Sequence, residues 1–140
     1  MGGTASSSAR QIYDGPIYND MISVSSRINT FHQAPRKIWK KRERMAEAGL
    51  FYVGVADQVK CFYCGGRLID WQEKDDPWVE HACFFNECQF IKLVKGEEFI
   101  KRCLKIKKLV SFFFFKILLT NIFKGSKKGS AKRKSIEKRK

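Results

Sequence analysis

Four residues of this 140-residue chain have the types and spacing to hold a metal. Cys61 and Cys64 flank Phe62-Tyr63, His81 follows after sixteen residues, and Cys88 after six more. Two thiols separated by two residues across a tight turn present both sulfurs on one side, and the Gly65-Gly66 that follows lets backbone amides point at the thiolates. Three thiolates and one imidazole form a soft to borderline set suited to tetrahedral Zn2+. Four protein ligands leave no open position for an activated water, so the expected zinc is single and structural rather than catalytic. A site of this kind contributes on the order of 10 kcal/mol to folding, enough to staple a domain with a small core. The alternative, buried cysteines and a core histidine, would make the spacing and the fourth ligand a coincidence within one short domain. Cys83 lies two positions from His81, about 200° around the same helix and facing away from the metal. Like Cys103, it reads as a small hydrophobe or free thiol.

The elements that must carry these ligands follow from local pattern. Ser25-Ser26 caps a short helix containing Ile28 and Phe31, which Pro35 ends. A second helix is expected from Pro35 to Ala48, with Ile38, Met45 and Ala46 near one face and Gly49 as its terminator. The period then shifts: Phe51-Tyr52-Val53 and Gln58-Val59-Lys60-Cys61 read as a hairpin about Gly54 to Asp57, and Arg67-Leu68-Ile69 as a third strand. Asp75-Asp76-Pro77 marks a helix start bearing Trp78, His81, Ala82 and Phe85. Further helices are expected over Cys88 to Val94 and Glu97 to Cys103.

Composition divides the chain in three. The net charge is +14, yet residues 1–100 are neutral and 101–140 hold 15 basic residues against the single acid Glu137. Residues 1–20, rich in Gly, Ser, Asn and Asp with a Gly15-Pro16 break, read as a disordered leader without core, and residues 21–103 as the zinc domain. Residues 104–140 read as an apolar, then polybasic, low-complexity tail. A hydrophobic share of 44% excludes a wholly disordered protein, and 30% charged residues exclude a membrane bundle. With no apolar signal segment at the start and five cysteines, an odd number, a reducing compartment is expected, hence the cytoplasm. Met1-Gly2-Gly3-Thr4-Ala5-Ser6 also fits the myristoylation pattern.

Between Ser25 and Cys103 the sequence resembles the baculoviral inhibitor-of-apoptosis repeat, or BIR domain. The residues that carry the resemblance are Arg27 to Phe31, Met45 to Tyr52, Asp57 to Gly66, Asp70-Trp71, and Asp75 to His81 through Cys88. It implies an α+β fold, a small three-stranded antiparallel sheet among four or five short helices around one zinc. It also implies binding of peptides that begin with a free alanine, as on caspases and the antagonists that displace them, and so restraint of apoptosis. An extended peptide would add beside Arg67, Leu68 and Ile69. Asp75 and Glu80, with Asp70 close by, would hold its ammonium, and Phe84 and Phe85 would pack on its first and third residues. Phe84 stands where many members have Trp, removing one indole N–H donor, a bond worth about 0.5–1.5 kcal/mol. Arg67 replaces a frequent Gly, and Ala34 a frequent Trp. Taken without the resemblance, the same residues read as a helix cap, a solvated face and aromatic packing.

Two features limit the function. No second set of Cys and His ligands follows Cys88, so a RING ubiquitin ligase module is not expected, and His32 has no nucleophile partner. A binding module is therefore expected, not an enzyme. Leu109 to Phe123 holds 11 apolar residues in 15 and is interrupted by Lys116, short of the roughly 20 residues of a membrane span. It reads as a sticky segment. Lys124 to Lys140 carries nine basic residues, with clusters at Lys127-Lys128 and Lys132 to Lys134 that fit nuclear import or an acidic surface. The rival function is accordingly a zinc-fold adaptor for nucleic acid, chromatin or cell division that works through this tail.

Overall fold

The computed structural model describes residues 15–122. The expectations for the myristoylation pattern and for the polybasic stretch 124–140 lie outside the described residues. Ser23 caps helix α1 (Val24–Asn29), its hydroxyl accepting the Ser26 N–H at 3.0 Å. The cap thus falls two residues before the expected Ser25-Ser26, where the extended backbone of Ser23 frees its side chain for this bond. A 3-10 turn, Thr30–Gln33, carries the fully buried Phe31 and ends ahead of Pro35.

The expected helix from Pro35 to Ala48 is two helices, α2 (Arg36–Trp39) and α3 (Arg42–Glu47), separated at Lys40-Lys41. Ile38 on α2 and Met45 on α3 are both fully buried on either side of the break. Gly49, at a φ of +83°, then turns the chain into strand β1 (Leu50–Tyr52). Strand β2 (Val59–Cys61) returns antiparallel, pairing Leu50 with Cys61 and Tyr52 with Val59. Strand β3 (Arg67–Leu68) pairs antiparallel with β2, Val59 opposite Leu68, so β3 is an outer strand of a three-stranded sheet.

Helix α4 (Pro77–Phe84) starts at a proline in its first turn. Its cap is Asp76, whose carboxylate accepts the N–H groups of Trp78 and Val79 at 3.0 and 3.2 Å. Helix α5 (Gln89–Lys95) begins directly after Cys88, and Gly96 separates it from α6 (Glu97–Ile122). The core gathers Phe31, Ile38, Met45, Leu50, Val59, Leu68, Trp71, Trp78, Ile91, Ile100 and Cys103 between the sheet and these helices.

The two ends of the domain differ from expectation. Residues 15–18, placed in the leader, are attached to the cysteine loop: the N–H groups of Ile17 and Tyr18 donate to the carbonyls of Tyr63 and Phe62 at 3.2 and 2.9 Å. The Tyr18 ring meets the Phe51 ring edge-on at 5.0 Å. Nothing in the local composition of Gly15 to Asp20 announces this, because the partners lie more than thirty residues away. At the other end, Cys103 is interior to α6, and the helix continues through Ile122. No helix among the described residues is long and apolar enough to cross a membrane.

Candidate functional site

The turn after β2 supplies Cys61 and Cys64, the middle of α4 supplies His81, and the residue before α5 supplies Cys88. Their ligand atoms all lie within 4.8 Å of one another. The Sγ atoms of Cys61 and Cys88 are 4.0 Å apart, and Cys64 Sγ is 3.7 Å from His81 Nε2. Zinc with sulfur at about 2.3 Å and nitrogen at about 2.0–2.1 Å in a tetrahedron separates sulfur pairs by roughly 3.8 Å and sulfur from nitrogen by roughly 3.5 Å. The residues therefore fit one four-coordinate zinc, and the site is that of a structural Zn2+.

The surroundings orient each ligand. His81 is fully buried, and its Nδ1 lies 2.8 Å from the Ala48 carbonyl oxygen. With the proton on Nδ1, that bond fixes the tautomer and leaves Nε2 for the metal. Backbone N–H groups of Tyr63 and Cys64 donate to Cys61 Sγ at 3.3 and 3.5 Å, and that of Gly66 to Cys64 Sγ at 3.4 Å. These amides carry partial positive charge toward thiolates. Without the ion, hydrogen bonds from Cys61 and Cys64 hold the Cys88 thiol far below its ordinary value. Burial pushes the Cys61 thiol up. For His81, burial acts downward, but the hydrogen bonds and charges of Cys64 and Cys88 outweigh it and raise the imidazole to about 9. A divalent cation replaces these shared protons.

Three supports around the centre were not assigned roles from sequence. Arg27 is buried, donates from Nε to the Ala46 carbonyl at 2.8 Å and from one terminal nitrogen to the Met21 and Ile22 carbonyls at 2.7 Å each. Its guanidinium lies 4.4 Å from the centre of the Phe62 ring. Burial lowers its pKa while the charge of Cys61 raises it, so a buried cation stands beside a centre that is about −1 with zinc and three thiolates bound. Asp57 accepts the N–H groups of Asp70 and Trp71 at 3.1 and 2.8 Å and pairs with Lys37. Lys41 Nζ donates to the carbonyls of Gln72 and Asp75 at 3.1 and 2.7 Å. Arg27 and Asp57 belong to the motif already quoted, and a charged residue inside an apolar motif is the signal that could have marked both.

The residues expected to contact a peptide fall into three places. Arg67 and Leu68 form β3, and Ile69 continues it into a loop where Asp70 adopts a φ of +60°. Asp75, Glu80 and Phe84 line one hollow of about 380 Å3 together with Val79, Cys83 and the α6 residues Cys103, Ile106, Lys107 and Val110. Asp75 is not the helix cap; its carboxylate accepts the Gln72 N–H at 2.8 Å. Phe85 turns the other way, its ring 6.2 Å from that of His81 and so close to Gly66 that an added Cβ there would lie 2.7 Å from it. Phe84 and Phe85 both line a second hollow of about 390 Å3 beside Cys64 and Cys88, and of the two only Phe84 also lines the carboxylate hollow. Cys83 faces this hollow and not the metal, and Cys103 is in the core.

Comparison with known proteins agrees with this centre. The BIR pattern, the Inhibitor of Apoptosis domain, matches residues 27–92. The chain is 40% identical over 88 residues to the "Apoptosis inhibitor IAP" of Cydia pomonella granulosis virus, covering 63% of this chain and 32% of that protein. It is 42% identical over 78 residues to the "E3 ubiquitin-protein ligase IAP-3" of Orgyia pseudotsugata multicapsid polyhedrosis virus, 56% of this chain and 29% of that one. The autoinhibited dIAP1-BIR1 domain aligns with 56% of this chain and 79% of that chain at 28% identity and a TM-score of 0.49. This chain spans about a third of the length of the viral relatives it matches. With the family pattern and the Cys61, Cys64, His81 and Cys88 cluster in agreement, residues 27–92 are a BIR domain, and the chain is a BIR-domain protein with inhibitor-of-apoptosis homologues.

Proposed function

We propose that this protein restrains apoptosis by binding the free alanine N-termini of caspases, or of the antagonists that displace inhibitors from them, in the cytoplasm. The reading is supported most by one observation: Asp75, Glu80 and Phe84 line a single hollow between α4 and α6, while β3 is an outer strand of the sheet. Two carboxylates attract an ammonium, an aromatic wall accepts a methyl group, and an outer strand accepts the backbone of an extended peptide. Zinc, Asp57 and Lys41 act indirectly. The metal holds α4 against the sheet, Asp57 holds the Asp70-Trp71 backbone, and Lys41 holds the loop through Asp75. The work asked of the site is recognition, and no residue in it needs to form or break a covalent bond.

The test is a titration of an Ala-initiated tetrapeptide and its N-acetylated twin into the zinc-loaded chain. Acetylation removes the charge that Asp75 and Glu80 would neutralise, so the free peptide is expected to bind at least tenfold more tightly. Equal affinity, or none for either peptide, would sink the reading.

A further inference from the structure

Of the second half of α6, Val110 and Ser111 reach the hollow against α4, and the rest projects from the zinc domain. Ten large apolar side chains from Leu109 to Ile122, among them Phe112, Phe113, Phe114 and Phe115, are each between 50% and 72% exposed. At about 100° per residue, consecutive exposed positions point to every side of the helix, not to one stripe. A protein groove, or a second copy of the helix, covers one stripe and leaves the others in water. A hydrocarbon phase covers all of them.

Length and charge define the arrangement further. From Leu109 to Ile122 the helix rises about 20 Å, against about 30 Å for a bilayer core, so it is too short to cross and lies along one leaflet with both ends at the headgroups. Cations bracket the apolar run: Lys101, Arg102, Lys105 and Lys108 precede it in α6, and nine basic residues against Glu137 follow it from Lys124 to Lys140. Within the run, the ammonium of Lys116 lies 5.2 Å from the centre of the Phe112 ring, and its long stem lets that charge reach the headgroups. Pairing two copies would oppose these like charges, whereas anionic headgroups neutralise them.

We propose that residues 109–122 insert into the surface of an anionic membrane, with the flanking lysines and arginines on its headgroups, and hold the BIR domain against that surface. Neither element suffices alone: a short apolar segment binds weakly and reversibly, and the basic residues supply the second signal.

The test uses the zinc-loaded full chain sedimented with vesicles of phosphatidylcholine alone or mixed with phosphatidylserine. Binding is expected to the mixed vesicles, about tenfold stronger than to the neutral ones, and to weaken as salt rises. A Phe115→Trp probe is expected to shift its emission to the blue on binding. Phe113→Asp combined with Leu118→Asp is expected to abolish binding while zinc content stays at one per chain, which shows that the domain is intact. Binding that survives this double substitution would overturn insertion in favour of the basic residues alone. Equal binding to both vesicle types would overturn the anionic preference. Binding to duplex DNA with no vesicle binding, or a dimer that vesicles do not dissociate, would overturn the proposal as a whole.

Discussion

The ammonium of Lys107, on α6, lies 3.1 Å from the centre of the Phe84 ring, on α4, in the hollow that Asp75 and Glu80 also line. An internal cation thus stands on the aromatic wall and beside the carboxylates that would receive a peptide's N-terminus. Removing it vacates space and leaves more negative charge. Lys107→Ala is therefore expected to tighten binding of an Ala-initiated peptide by about three- to tenfold, since contacts of this kind are worth about 0.5–2 kcal/mol. Calorimetric titration of both forms with one peptide checks it, and an unchanged or weaker affinity would show that Lys107 is not in competition.

Zinc removal should unfold the domain. Chelation is expected to abolish cooperative thermal unfolding, and Cys61→Ser or His81→Ala to prevent stoichiometric zinc uptake. Cys83→Ser should retain one zinc and stay within about 1 kcal/mol of the parent, because its side chain faces the α6 hollow. Zinc binding requires a neutral imidazole and deprotonated thiols, so uptake of the ion releases protons. Zinc affinity is accordingly expected to rise with pH through the range in which the imidazole and thiols shed their protons, with proton release visible as a buffer-dependent heat.

Asp57 gives a pH dependence of the opposite origin. Burial acts to raise its pKa, but the Lys37 pair and the Trp71 and Asp70 amides outweigh that and hold it below the ordinary carboxylate value. A depressed folded-state value stabilises the fold above the unfolded pKa of about 3.9, and that contribution is lost as pH falls through the folded value. Asp57→Asn should cost about 1–3 kcal/mol at neutral pH, with the difference from the parent shrinking as the pH drops below about 4. Denaturant titrations of both forms at the same zinc activity measure the difference.

Gly66→Ala tests the contact between the cysteine loop and the end of α4. The added methyl would sit 2.7 Å from the Phe85 ring, and that ring backs onto His81. A cost of about 1–3 kcal/mol is expected, with weaker zinc retention. The pairing with Phe85→Ala is expected to recover part of the loss, because the smaller side chain removes the clash; no recovery would place the strain elsewhere.

The metal ligands and the hairpin were legible in the chain because both are local. Spacing between Cys61 and Cys64 defines a turn, alternation from Leu50 to Cys61 defines paired strands, and Asp-Asp-Pro before Trp78 defines a helix start. The site's position within a family was legible for the same reason, since the motif residues are contiguous blocks. Helix division was less so: Lys40 and Lys41 are acceptable in a helix, and no local signal marks the break between α2 and α3.

Long-range partners were decided by the tertiary structure. No local rule pairs Ile17 and Tyr18 with Tyr63 and Phe62, sends Asp57 to the amides of Asp70 and Trp71, or sets Lys107 on Phe84. It also decided which of two adjacent phenylalanines faces the carboxylates, because α4 ends at Phe84 and Phe85 leaves the helical path. Sequence alone therefore determined that this protein holds zinc, through four ligands at metal-type spacing between Cys61 and Cys88. Which side chains share the hollow lined by Asp75, Glu80 and Phe84 depended on how α4 and α6 pack, an energy summed over residues that no short window contains.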